Sequence, residues 1–98
     1  MIAIIWRYEV RDEHRAEFEA TYGPQGDWAR MFARTEGYLG TELMRAEDGA
    51  YATVDRWRRQ ADFEAFIAEH RADYEALDRV TEAWTVREEK IGLFEVMG

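Results

Sequence analysis

The chain has 98 residues, with 13 Lys or Arg against 21 Asp or Glu, for a formal net charge of −8. That length fits one domain with one modest core, and the acidic balance excludes phosphate backbones and anionic membrane surfaces as expected partners. The sequence holds no cysteine and no serine, which excludes disulfides, thiolate metal sites and thiol or serine nucleophiles.

The opening IAIIWRYEV, residues 2–10, is rich in β-branched and aromatic residues and predicts a first strand. Alternation puts Ile2, Ile4, Trp6, Tyr8 and Val10 on one face and Ala3, Ile5, Arg7 and Glu9 on the other. With no basic leader and no small-residue cleavage site, it reads as a strand rather than a signal peptide. No stretch is long and apolar enough to span a bilayer, so a cytoplasmic location is expected. A helix follows, with Asp12 as its expected N-cap. YGPQGDW interrupts it, because proline cannot continue the helical ladder. Asp27 is the expected cap of a second segment over 28–35, which carries Trp28, Met31, Phe32 and Thr35 on one stripe.

Residues 38–46 and 50–58 predict two strands joined by the turn AEDGA, an antiparallel hairpin. Parity puts Leu39, Leu43, Ala52 and Val54 under the helices. It leaves Tyr38, Glu42, Tyr51, Asp55 and Trp57 on the opposite face, unless a one-residue bulge inverts the register. Phe63, Phe66, Ile67, His70, Tyr74 and Leu77 recur at helical spacing within a long helix over 59–84, with Asp73 and Asp78 on faces expected to meet solvent. Residues 84–96 predict a last strand, charged at its start and apolar at its end, with Gly92 marking a bulge.

The order β, broken α, β, β, α, β is the ferredoxin-like, split βαβ plan, a single α+β domain over 1–98 with a four-stranded antiparallel sheet. Two helices cover only one face. The other face is also apolar, so a homodimer packed through the sheets is expected. The groups available for chemistry are carboxylates, tyrosines and one helix histidine. His70 has the titration range of a general base or a haem ligand. Trp57 and Trp6 are candidate pocket walls, with Tyr8 and Tyr51 as hydroxyl donors to a ring held there. Asp55 is a further candidate, as half of an acid/base pair with Glu42 or as a structural carboxylate. The chain has no HExxH motif and no glycine-rich phosphate loop, so neither a metal nor a nucleotide cofactor is expected.

Three segments together resemble the antibiotic biosynthesis monooxygenase family of the dimeric α+β barrel group: IIWRYEV, then EFEATYGPQGDWARMFARTEGYLGTELMR, then YATVDRW leading into RQADFEAFIAEHRADY. The resemblance covers nearly the whole chain. It implies a pocket between sheet and helices and a monooxygenase-like oxidoreductase acting on a phenol or quinone without a bound nucleotide. Trp57 matches the family's tryptophan at the end of the third strand, and His70 resembles its histidine on the second helix. Haem-degrading members carry an asparagine on the first strand, whereas this chain contains no asparagine. Two other functions remain open: a noncatalytic binding or stress-related dimer, and an isomerase or decarboxylase run by carboxylates. A void lined by Trp57, His70 and a tyrosine favours the oxygenase. A gap filled by Phe18, Phe32, Phe63 and Phe66 favours the noncatalytic dimer. A pocket centred on Glu42 or Asp55 favours the isomerase.

Overall fold

The computed structural model describes residues 1–98 and contains four strands and three α-helices. They are β1 (Ile2–Val10), α1 (Arg15–Tyr22), α2 (Asp27–Phe32), β2 (Tyr38–Arg45), β3 (Tyr51–Trp57), α3 (Gln60–Thr81) and β4 (Thr85–Glu95). The sheet order is β2-β3-β1-β4, with every neighbouring pair antiparallel. This is the expected α+β, ferredoxin-like arrangement. The helical break falls where proline and two glycines predict it, between Tyr22 and Asp27.

The caps differ from expectation. Asp12 lies inside a single 3-10 turn, Asp12–His14, and accepts a bond from Arg15 Nε at 3.0 Å. Asp27 is the first residue of α2 rather than its cap, and pairs with Arg30 at 3.3 Å. In both cases an arginine three residues on outcompetes the orphan backbone N–H groups for the carboxylate.

All three helices pack on one face of the sheet. Phe18 of α1 meets Tyr51 at 4.8 Å between centroids, Phe32 of α2 meets Trp57 at 5.7 Å, and Phe66 of α3 meets Trp57 at 5.8 Å. The helix-facing residues of β3 are therefore Tyr51, Thr53, Asp55 and Trp57, the reverse of the parity assigned from sequence. Burying the rings of Tyr51 and Trp57 removes far more apolar area from water than burying Ala52 and Val54. Glu42 and Arg56 stay on the open face, 2.6 Å apart in an ion pair within one chain.

On β2 a register shift between Tyr38 and Gly40, with Gly40 at φ +135°, brings Tyr38, Thr41 and Leu43 to the helix side and turns Leu39 out. Only glycine adopts that dihedral without strain. A second shift lies opposite Gly92 and Lys90 on β4.

Trp57, Phe18 and Phe66 have no exposed surface and anchor the core. Helix α3 is kinked at His70, whose φ and ψ are −121° and 24°. The kink turns the second half of α3, which carries Tyr74 and Asp78, across the sheet. No helix is long and apolar enough to cross a membrane.

Candidate functional site

A pocket opens between the sheet and the second half of α3. Its floor comes from alternating sheet positions: Trp6 and Tyr8 on β1, Thr53 and Asp55 on β3, and Thr41 on β2. Its apolar wall is Tyr22 at the end of α1 and Trp28 and Phe32 of α2. Tyr74 and Asp78, one helical turn apart on α3, and Glu88 of β4 complete the rim. The void measures about 60 Å³, several times what one water needs. That is room for a few waters or the leading ring of a ligand.

The aromatic wall is braced. Tyr8 meets Phe18 at 5.2 Å and Tyr22 at 5.0 Å, both edge-on, and Trp28 meets Tyr74 edge-on at 5.1 Å. Such contacts fix ring orientation beyond simple area burial. The Tyr8 hydroxyl lies 3.3 Å from Thr53 Oγ1. Burial drives the Tyr8 and Tyr22 hydroxyls above the ordinary phenol range, so both are neutral.

Asp55 sits at the polar end. Thr41 Oγ1 donates to Asp55 Oδ1 at 2.7 Å, and the Tyr38 hydroxyl lies 2.7 Å from the same Thr41 oxygen. Since the Thr41 proton goes to Asp55, Tyr38 donates to Thr41, and the three form one relay. No arginine pairs with Asp55. Burial raises its carboxyl to about 6, against the bond from Thr41, which holds it down. That places a carboxylate base near neutral pH in an aromatic pocket.

Of the residues singled out from sequence, Trp6, Tyr8 and Asp55 meet in this pocket. Trp57 lies deeper, enclosed by Phe32, Tyr38, Phe63 and Phe66, with its Nε1 unpartnered. The Tyr51 hydroxyl donates to Glu19 and receives Arg15 Nη1 at 3.4 Å, away from the pocket. His70 holds its half-buried ring at a tilt 5.4 Å from that of Phe66 and places Nε2 3.8 Å from Glu69. The gap beside Trp57 and His70 is thus filled by phenylalanines, and the open space lies next to Asp55. No three metal-ligating side chains converge anywhere in the chain.

Sequence reasoning missed Thr41, Thr53, Asp78 and Glu88. The one available signal was the i, i+4 spacing of Tyr74 and Asp78 on α3, which puts the carboxylate on the apolar stripe rather than in solvent.

The family model described as antibiotic biosynthesis monooxygenase matches residues 1–70. The chain belongs to the antibiotic biosynthesis monooxygenase family. Among solved structures, the cofactor-independent oxygenase SnoaB of Streptomyces nogalater superposes with a TM-score of 0.80 at 23% identity, covering 99% of this chain and 93% of that one. A candidate antibiotic biosynthesis monooxygenase of Nitrosomonas europaea gives 0.72 at 13% identity, covering both chains completely at 100%. Another from Bordetella bronchiseptica gives 0.68 at 20%, covering 98% and 96%. At these identities the likeness establishes the fold that the family shares. No curated protein matches the chain. The antibiotic biosynthesis monooxygenase match ends at His70, so Tyr74, Asp78 and Glu88 lie beyond it.

Proposed function

We propose that this protein is a monooxygenase-like oxidoreductase that binds an electron-rich aromatic ring bearing a hydroxyl and removes the hydroxyl proton with Asp55. The observation that carries the reading is the position of Asp55: a carboxylate free of any cation, held by Thr41 at 2.7 Å, at the polar end of an aromatic pocket. Trp6, Trp28 and Tyr74 hold the ring, and Tyr8 and Thr53 offer neutral hydroxyls to an oxygen on it. Family membership supports the oxygen chemistry.

For a phenol with a hydrogen on the carbon para to its hydroxyl, the reaction balances with dioxygen as the only co-reactant. Asp55 takes the phenolic proton, and the phenolate gives one electron to dioxygen. The resulting radical and superoxide join in a carbon–oxygen bond, and Asp55 returns its proton to the peroxide. Asp55 then takes the para C–H proton as the O–O bond breaks. The leaving hydroxide receives that proton and departs as water. Phenol and dioxygen become quinone and water, and the substrate supplies all the electrons. The protein contributes orientation and proton transfer.

The test is turnover of a panel of naphthols and substituted phenols, followed by oxygen uptake and by labelled dioxygen. One labelled atom should enter the product and one the water. Asp55→Asn should lower kcat about 10²–10⁴-fold. Unchanged turnover in that variant would remove Asp55 from the chemistry. A second reading rests on the same carboxylate: an isomerase or decarboxylase would also centre its pocket on Asp55. Turnover without oxygen uptake would favour it.

The proposal includes assembly. The open face of the sheet exposes Leu39, Met44 and Phe94, and β4 also exposes Val86 and Ile91. A second copy of the chain is the occupant proposed for that face.

A further inference from the structure

The pocket carries a charge pattern that ring binding and removal of one proton do not use. Its eleven lining residues include three carboxylates, Asp55, Asp78 and Glu88, and no lysine, arginine or histidine. None of the three forms an ion pair, and Arg87, the neighbour of Glu88 in sequence, pairs with Glu89 at 3.8 Å. The Glu88 carboxyl is raised first by burial and next by the charge of Asp78, so the two rim carboxylates feel each other.

Around this uncompensated negative charge stand the rings of Trp6, Tyr22, Trp28 and Tyr74. Aromatic faces attract a cation, most strongly where water is displaced. An ammonium group would supply the missing positive charge. A carboxylate or phosphate on the ligand would meet three like charges and find no donor cation. Of the three carboxylates, Asp55 lies within the residues the family model matches, and Asp78 and Glu88 lie beyond them.

We propose that the pocket selects a small aromatic ligand carrying a protonated amine, with Asp78 and Glu88 holding the ammonium group at the rim. The proposal rests on the reading of the pocket as a ring-binding site. The net charge of −8 adds a long-range pull on such a cation.

The experiment is calorimetric titration at pH 7 with three phenols of similar size: tyramine, 4-ethylphenol and 3-(4-hydroxyphenyl)propionate. They present a cation, a neutral group and an anion on the same ring. Tyramine should bind about tenfold or more tighter than 4-ethylphenol, with the propionate weakest. Asp78→Asn combined with Glu88→Gln should bring tyramine to within about twofold of 4-ethylphenol and leave 4-ethylphenol unmoved. Added salt should weaken tyramine alone. Equal binding of tyramine and 4-ethylphenol by the unaltered protein would overturn the selection and leave ring binding standing. A tyramine preference that survives the double substitution would overturn the assignment to Asp78 and Glu88. Failure of all three phenols to bind would take down ring binding and the selection together.

Discussion

Thr41 Oγ1 donates to Asp55 Oδ1 at 2.7 Å across the β2–β3 ladder, the one hydrogen bond that opposes the burial of that carboxylate. Thr41→Val removes the donor and keeps the shape. A hydrogen bond to a charged group contributes about 1.5–3 kcal/mol, so the Asp55 carboxyl should rise by about one unit or more. If Asp55 is the base, kcat/KM climbs with pH through a midpoint near 6 in the parent. The midpoint should move up in Thr41→Val and return in Thr41→Ser. A pH–rate profile of the three proteins checks this.

Asp55 also links folding to pH, and the sign is opposite to that of an ordinary paired carboxylate. Its folded value of about 6 lies above the 3.8 of an ordinary aspartate, so the native state holds the proton more tightly than the unfolded chain. Stability from this group is fully present at acid pH and is lost as pH rises from about 4 through 6. The groups facing Asp55 are neutral or negative: Tyr8 from β1, Thr41 from β2, Tyr74 and Asp78 from α3, and Glu88 from β4. None supplies a compensating cation. Asp48 and Asp62 act the other way. The Ala50 backbone N–H and the Arg59 guanidinium, respectively, depress their carboxyls, so their contribution fades only as pH falls below the usual carboxylate range. Asp55→Asn should therefore stabilise the protein at pH 8 by on the order of 1–2 kcal/mol, with little change at pH 4. Thermal unfolding at the two pH values measures it, with about 4–8 °C expected per kcal/mol in a domain this small.

Trp57 has no exposed surface and touches rings from α2, β2 and α3. Trp57→Ala should destabilise by about 3–5 kcal/mol. Trp57→Phe keeps most ring contacts and removes an indole N–H that has no partner, so its loss should be smaller. Turnover by the folded Trp57→Phe protein should match the parent. A collapse of kcat with an unchanged melting curve would give Trp57 a part in the chemistry.

His70 is placed at the kink of α3, against Phe66 and outside the pocket lining. His70→Ala should leave kcat/KM within about twofold of the parent, because no proton path in the pocket passes through it. Loss of turnover with folding intact would make the histidine, not Asp55, the proton acceptor.

The strands, the helix break and the long helix were legible because β-branched alternation, Gly23-Pro24 and the long i, i+3, i+4 stripe each point to one local structure. The faces of β2 and β3 were not. Tyr51, Thr53, Asp55 and Trp57 alternate with Ala52, Val54 and Arg56, so both sets hold apolar and polar residues and pattern alone does not choose. Packing decides: the phenylalanines of three helices need Trp57 and Tyr51 opposite them. The bulge at Gly40 then brings Thr41 beside Asp55, and no single-residue signal announces a two-strand coincidence. Glu88 was hidden for a similar reason, since REEK reads as solvated until β4 is laid beside Tyr8.

The open face of the sheet makes its own prediction. Phe94 of β4 pairs with Ala3 on the face away from the helices and is 45% exposed, with the exposed Leu39 and Met44 at the opposite edge of the same sheet, on β2. An apolar face of this kind on so small a chain calls for cover. Light scattering should give twice the chain mass of 11.6 kDa for the parent. Phe94→Glu would place like charges across the proposed contact between two copies and should give the single-chain mass with unchanged circular dichroism. The pocket lies on the opposite side of the sheet, so phenol binding by the monomeric variant should persist. A parent that is monomeric at working concentration would leave this face without the second copy proposed to cover it.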